Sequence, residues 1–331
     1  MAYDGKIMRR AMQRYDEDRQ RRREDFRRRE AAVYEREPQL RDIQRQLNAT
    51  MSRIITCALR QGTDPRPAVE RLKEENLSLQ SRRRTLLASM GLPADYLEEK
   101  PACPLCRDTG YQGEAVCRCL RSYYAKEQQK ELSRMLDLGS QSFETFSLDW
   151  YSALPDSRVG TSPRANMEYN RDVCVDYAYD FNPRSGNLLL TGQPGLGKTF
   201  LSACIARVVS EKGYSVVYDT AGHVFERFEV RKFSREEDSR AAEDVDRILQ
   251  CDLLILDDLG TEMTTAFVQS ALYEIVNTRL LAGKSTIIST NLGVTELNQR
   301  YLQQVSSRIE GEYQVLIFFG EDIRRKKREL R

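Results

Sequence analysis

Gly192-Gln193-Pro194-Gly195-Leu196-Gly197-Lys198-Thr199 fits the pattern G-x-x-x-x-G-K-[ST], and the residues on either side decide how it is read. Upstream, Asn187-Leu188-Leu189-Leu190 is an apolar run that reads as a buried strand. Downstream, Phe200 to Val209 has the apolar spacing of a helix. Strand, glycine-rich loop and helix in that order form a cradle for a polyphosphate. Glycines let the backbone approach closely, and the loop N–H groups and helix N-terminus face the anion. Lys198 is expected to reach the β- and γ-phosphates, and the Thr199 hydroxyl to complete a Mg²⁺ shell.

Beyond the loop the chain alternates. Tyr214–Tyr218 reads as a strand and Ala221 to about Val230 as a helix, while 231–247 is strongly charged and expected to be exposed. Cys251-Asp252-Leu253-Leu254-Ile255-Leu256-Asp257-Asp258 is an apolar strand ending in two carboxylates. Thr264–Leu281 is helical, and Ser285–Asn291 is another apolar strand. Continuous apolar strands separated by helices imply an α/β fold, a parallel sheet covered on both faces. Ligands of such sheets bind beyond the strands' C-terminal ends, where Gly192, Asp257 and Asn291 would converge. Asp257 is then the carboxylate for Mg²⁺, directly or through water, and Asp258 the group that orients or deprotonates a water. Asn291 would bond that water or the γ-phosphate, or simply form a turn. Arg308, before the strand-like Tyr313–Phe319, and Arg324 are candidates to stabilise transition-state charge; surface arginines would look the same.

The 331-residue chain has a net charge of only +2, but residues 1–100 hold 23 Lys/Arg against 17 Asp/Glu. A cationic front half hints at an anionic partner, although a solvated charged helix gives the same balance. No run of 18 apolar residues exists and Met1–Arg10 has no apolar core, so a cytoplasmic protein without membrane contact is expected. Lys6 to about Glu37 reads as a solvated helix, its mixed charges pairing along the axis. Leu40, Ile43, Leu47, Met51, Ile54 and Ala58 keep helical steps. Turn residues 61–67 break the pattern, and Val69 to Met90 resumes it, which predicts an antiparallel helical hairpin.

Eight cysteines divide into four scattered and four clustered. Cys103 and Cys106 form C-x₂-C; Cys117 and Cys119 form C-x-C. Two close thiolate pairs suit a closed tetrahedral Zn²⁺ site, structural rather than catalytic, with a reduced or redox cluster as the alternative. Leu120 to about Leu138 reads as a helix. The aromatic-rich Phe143–Tyr151 could dock on the following domain or face an adenine. The predicted domains are 1–100 (charged helices), 101–138 (Cys₄ unit and linker helix) and 139–331 (nucleotide-binding α/β domain).

Four stretches in order, Gly192–Thr199, Asp252–Gly260, Ser289-Thr290-Asn291 and Ser306-Ser307-Arg308, resemble the AAA+ ATPases of the DnaC/DnaI helicase-loader and IstB transposition-helper group. The resemblance covers about 140–328. It implies that the first two stretches are Walker A (Gly192, Gln193, Pro194, Gly195, Leu196, Gly197, Lys198, Thr199) and Walker B. It further implies Asn291 as sensor 1, Arg308 as a finger acting on ATP of a neighbouring subunit, and Arg324 as sensor 2. Asp258 stands where many AAA+ proteins have Glu, which suggests slow, switch-like hydrolysis. Only a dozen residues follow Phe319, so a full helical lid is not expected. The implied role is an ATP- and Mg²⁺-dependent, zinc-bearing loader of a hexameric replicative helicase (DnaB-type), gripped by the N-terminal region. Single-stranded DNA and an ATP-bridged homo-oligomer complete the expected partners, with Arg227, Arg231 and Lys232 as candidate DNA contacts. An IstB-like helper of a transposase and an ATP-sensing DNA-binding adaptor are the alternatives.

Overall fold

The computed structural model describes residues 3–59, 66–135, 141–233 and 239–329. The chain divides into two compact units, one of residues 14–117 and one of residues 1–13 with 118–331. Most of the turn expected at 61–67 and the end of the helix expected near Leu138 lie outside the described residues.

Helix α1 (Gly5–Arg36) runs through a segment without Pro or interior Gly. Pro38 stops it and opens α2 (Pro38–Leu59), as a residue lacking an N–H does best in a first helical turn. α2 and α3 (Arg66–Ser89) pack on each other. The hairpin is not alone: Val33 of α1, Leu40 of α2, Leu87 of α3 and Leu97 form one small core. A short antiparallel ribbon follows, β1 (Tyr111–Gln112) and β2 (Ala115–Val116).

In the other unit, α4 (Arg118–Met135) precedes two single 3₁₀ turns, Phe143–Thr145 and Leu148–Trp150, and then α5 (Pro163–Tyr179). The Ser162 hydroxyl caps α5 by accepting from the Ala165 N–H. Then come β3 (Asn187–Gly192), α6 (Lys198–Glu211), β4 (Val216–Thr220), α7 (Ala221–Phe233), α8 (Ser239–Gln250), β5 (Leu253–Leu259), α9 (Ala266–Leu281), β6 (Ser285–Thr290), α10 (Val294–Arg300), α11 (Gln303–Glu312), β7 (Tyr313–Phe318) and α12 (Ile323–Glu329). The sheet is parallel throughout, in the order β4-β5-β6-β3-β7. Leu188 and Leu190 of β3 pack on one face with α5 and α6, while Leu189 enters the opposite core with α7, α8 and α9. Both faces are therefore dry, and this is why the strands read as unbroken apolar runs.

The segment 231–247 departs from expectation. From Ser239 it forms α8, with Ala241, Val245, Ile248 and Leu249 buried; 234–238 lie outside the described residues. Its charges conceal an apolar stripe at three- and four-residue steps. Arg279 is also fully buried. Its guanidinium donates to the carbonyls of Ile248, Leu249, Cys251 and Ser285 and to the Thr286 hydroxyl, tying α9 to the starts of β5 and β6. No helix among the described residues is long and apolar enough to cross a membrane.

Candidate functional site

β3 ends at Gly192, and the chain loops into α6 with three left-handed glycines: φ is 145° at Gly192, 79° at Gly195 and 97° at Gly197. A Cβ at Gly192 would lie 2.0 Å from the Phe318 carbonyl oxygen, and one at Gly195 1.9 Å from Asp322 Oδ1. The Phe318 backbone closes Gly192 to any side chain, while at Gly195 the left-handed φ disfavours one and Asp322 would have to move. α6 has no side-chain cap, which leaves its first N–H groups open to an anion. By contrast α5 and α9 carry Ser and Thr caps.

Lys198 is buried beneath the loop. Its ammonium donates to the Gly192 carbonyl (2.5 Å), the Gln193 carbonyl (2.9 Å) and Asn291 Oδ1 (2.8 Å). Burial lowers its pKa to about 8, although Asp258 and Asp257 pull the other way. Asn291, one residue beyond β6, thus meets the loop lysine.

Asp257 lies at the end of β5 with both oxygens engaged. Oδ1 accepts from the Ser289 and Thr199 hydroxyls, the latter at 3.4 Å, and Oδ2 accepts from the Tyr218 hydroxyl at 2.7 Å. The Thr199 contact joins the loop to the carboxylate in the way a shared Mg²⁺ shell requires, so this donor set fits the metal. The next residue is placed differently. The β5–β6 register shifts between Leu256 and Leu259, and Asp258 has φ 55°, held by its N–H to Ser289 Oγ (3.1 Å). An irregularity of this kind re-aims a side chain; here it turns the Asp258 carboxyl into the cavity. Burial, then the Asp257 charge, raises the Asp258 pKa, while Lys198 and Arg324 restrain the rise.

Above the loop is a cavity of about 350 Å³. Phe146, Trp150 and Tyr151 line it together with Lys198, Asp258, Asn291 and Arg324. The aromatic stretch docks on the domain that follows it and also lines the cavity. The Tyr151 hydroxyl donates to the Leu196 carbonyl (3.0 Å), docking the segment on the loop, while its rings face the cavity. The C-terminal helix closes the rim: the Ile323 N–H bonds the Gly195 carbonyl (3.1 Å), and Lys327 sits 5.1 Å from the Trp150 ring centroid. Arg308 is not among the cavity residues. It projects from α11 over the Tyr273 ring, 5.1 Å from its centroid.

Two of the residues singled out for DNA are engaged within the fold. Arg227 pairs with buried Asp219 (2.5 Å), and Arg231 with Glu274 (2.7 Å); Lys232 lies over the Phe233 and Phe267 rings. Sequence reasoning missed Tyr218 and Ser289, the two hydroxyls that hold Asp257. Ser289 sits two residues before Asn291 on an apolar strand, a signal that was available. Tyr218 carried none, because a strand tyrosine ordinarily reads as core.

The second cluster is the cysteine knuckle. The Sγ atoms of Cys103, Cys106, Cys117 and Cys119 all lie within 4.8 Å of one another, with the Cys103–Cys117 separation 3.8 Å. A tetrahedron with Zn–S bonds of about 2.3 Å has edges of about 3.8 Å, so the thiols fit zinc. The unit boundary after Cys117 falls inside this continuous stretch. Arg107 and Asp108 turn the knuckle with φ of 49° and 60°, and the Asp108 carboxylate accepts from the N–H groups of Ala102 (3.0 Å) and Cys103 (2.8 Å). Cys174, Cys204 and Cys251 are elsewhere and buried, and burial pushes their thiols up, as inert core cysteines.

The family model for IstB-like ATP binding protein matches residues 169–326. The replicative helicase loader DnaC of Buchnera aphidicola is 24% identical over 152 residues, 46% of this chain and 61% of that protein. The match thus spans less than two thirds of the loader's own length. A putative insertion sequence ATP-binding protein of Sinorhizobium fredii is 30% identical over 116 residues, 35% of this chain and 37% of that protein. A crystal structure of the DnaC helicase loader superposes on 55% of this chain and 99% of its own, with 20% identity and a TM-score of 0.45. Residues 169–326, which hold the loop and the parallel sheet, match the IstB-like ATP binding protein family.

Proposed function

We propose that this protein is an ATP-hydrolysing loader that places a hexameric, DnaB-type replicative helicase on single-stranded DNA. The observation that carries the ATPase reading is the meeting of Lys198, Asp258, Asn291 and Arg324 around one cavity beside the Thr199–Asp257 contact. In this reading loop residues 192–199 cradle the phosphates, and the rings of Phe146 and Trp150 receive the adenine. Thr199 and Asp257 hold Mg²⁺, which supplies charge neutralisation at the β- and γ-phosphates. Asp258 accepts a proton from the water whose oxygen attacks the γ-phosphorus as the β–γ bridge breaks and ADP departs. Lys198 reaches the β- and γ-phosphates, Asn291 bonds the attacking water or the γ-phosphate, and Arg324 stabilises charge from the rim.

Arg308, remote from its own cavity, is assigned to the ATP of a neighbouring subunit, so that nucleotide bridges a homo-oligomer. The loader role is supported by the named function of the helicase-loader relatives and by the Cys-bearing N-terminal region, which we assign to the helicase. The functional division is then 1–100, 101–138 and 139–331. ATP should promote both oligomerisation and DNA binding in sedimentation and anisotropy experiments, and Lys198→Ala should abolish both effects. Helicase delivery at the normal rate by that variant would overturn the mechanism.

The family match also supports a second reading, an ATP-dependent helper of a transposase acting on target DNA. Pull-down of the purified chain against helicase and against transposase separates the two.

A further inference from the structure

We propose that the unit of residues 14–117 binds single-stranded nucleic acid in a cationic groove between α1 and the segment 99–108. This deepens the reading above, from which it takes the single-stranded partner, but it makes no use of the nucleotide site. The groove encloses about 450 Å³. Arg19, Arg22, Arg23 and Arg29 line its α1 wall; Lys100 and Arg107 line the other. Three acids, Asp25, Glu99 and Asp108, stand against these six cations.

The acids neutralise less than their number suggests. Asp108 is occupied by the backbone N–H groups of the knuckle, which leaves Arg22 at 3.6 Å, beyond a normal hydrogen bond. Asp25 is paired with Arg28, outside the groove. Glu99 reaches Arg23 at 3.3 Å, but both side chains are more than half exposed and the pair is weak. Arg19 donates to the Asp108 carbonyl (3.1 Å) and pairs with Asp16 (3.0 Å). Lys100 is bonded to Asp95. Arg107 makes no hydrogen bond or ion pair among the described residues, and the left-handed turn of the knuckle fixes where it stands. With five N–H donors on each guanidinium, most donors in the groove are unused.

Phe26 also lines the groove, beside Arg29. Arg29 lies 5.7 Å from the Phe26 centroid and 5.5 Å from the Tyr96 centroid, so its plane is pinned over two rings. Phosphates take guanidinium forks and unstacked bases take aromatic or guanidinium faces. An acidic peptide would use the cations and leave the rings idle. A duplex keeps its bases stacked inside and has none to offer them. Arg19, Arg22, Arg23, Phe26 and Arg29 share one helix face over about 15 Å, long enough for about four phosphates at the spacing of one DNA strand.

The test is anisotropy of fluorescein-labelled oligothymidylate with the full chain across a salt series. Arg22→Gln/Arg107→Gln should weaken binding at least about tenfold and make the log–log salt slope shallower by ~1.4, about 0.7 for each phosphate left without its arginine. Arg29→Lys keeps the charge and should keep the slope, yet lose about fivefold or more from stacking, the equivalent of about 1 kcal/mol. Arg45→Gln on α2, 75% exposed and outside the groove, should change neither. Circular dichroism confirms that each variant is folded. An unchanged slope in the double variant, an equal loss in Arg45→Gln, or no binding by the wild type would overturn the proposal. So would equally tight binding of a duplex, or displacement of the oligonucleotide by polyglutamate at equal charge. ATP uptake measured on the same preparation keeps the two readings apart: failure there removes the ATPase and leaves the groove to be judged by its salt slope.

Discussion

Tyr218→Phe isolates what the Asp257 carboxylate does. The hydroxyl donates to Asp257 Oδ2 at 2.7 Å and exchanges a second bond with Ser202 Oγ at 3.2 Å, inside the buried face of β4. Removing it leaves the ring in place, so packing loses only an oxygen. Burial and the nearby Asp257 charge raise the Tyr218 pKa well above the phenol range, so the group is a neutral donor at every working pH. A hydrogen bond to a charged group contributes about 1.5–3 kcal/mol, a factor of roughly 10 to 150 in an equilibrium constant. Ser289 still holds the other oxygen, so the loss should fall near the lower bound. ATP affinity measured by calorimetry with Mg²⁺ should then weaken about tenfold, while affinity in EDTA stays at the wild-type value. Ser202→Ala, which removes the outer member of the chain, should weaken it less. Equal losses with and without Mg²⁺, in a variant whose melting temperature is near wild type, would refute the assignment of Asp257 to the metal.

Lys198 gives a proton-linked prediction. Its folded pKa, about 8, lies below the ordinary 10.5, so between those values the unfolded chain holds the extra proton and stability rises with pH. Lys198→Met should remove that rise from an alkaline denaturation series. ATP should restore the charge, so calorimetry near pH 9 in buffers of different ionisation enthalpy should show proton uptake in the wild type and none in the variant. Asp258 has the opposite sense: its raised pKa makes the native state the tighter proton binder, with stability lost as pH rises above 3.8 through the folded value. Asp258→Asn should therefore raise the melting temperature at pH 7 more than at pH 4, and should slow steady-state phosphate release by at least about 100-fold; a near-normal rate would remove Asp258 as the base. For the knuckle, elemental analysis should find one zinc per chain. Cys103→Ser should lose it, with hydrogen-exchange protection collapsing around Cys103–Cys117 while ATP binding persists.

The parallel sheet and the phosphate loop were legible because each depends on local chemistry. β3 and β5 are buried on both faces and so run apolar through Leu188–Leu190 and Leu253–Leu256. The loop needs glycine at Gly192, where the Phe318 carbonyl leaves no room for a Cβ, and at Gly195 and Gly197, where φ is left-handed. What stayed hidden is what depends on partners distant in the chain. Residues 231–247 look solvated because charge outnumbers the apolar stripe, yet that stripe is what α8 lays on the core. Arg279 is indistinguishable in sequence from a helix-surface arginine; only the closing of five acceptors around it makes burial tolerable. The same reason applies at the site. Lys198, Asp257 and Asn291 could be named from strand ends, because a parallel sheet brings its C-terminal tips together whatever the loops do. Tyr218 could not, since its role exists only through the register that sets β4 beside β5, Thr220 opposite Asp257. A shift of that pairing by one residue would turn the hydroxyl to the other face of the sheet. The carboxylate would keep its place in the sequence and lose its orientation. The chemistry of this site is thus written in the motif, but its geometry is held by strand register.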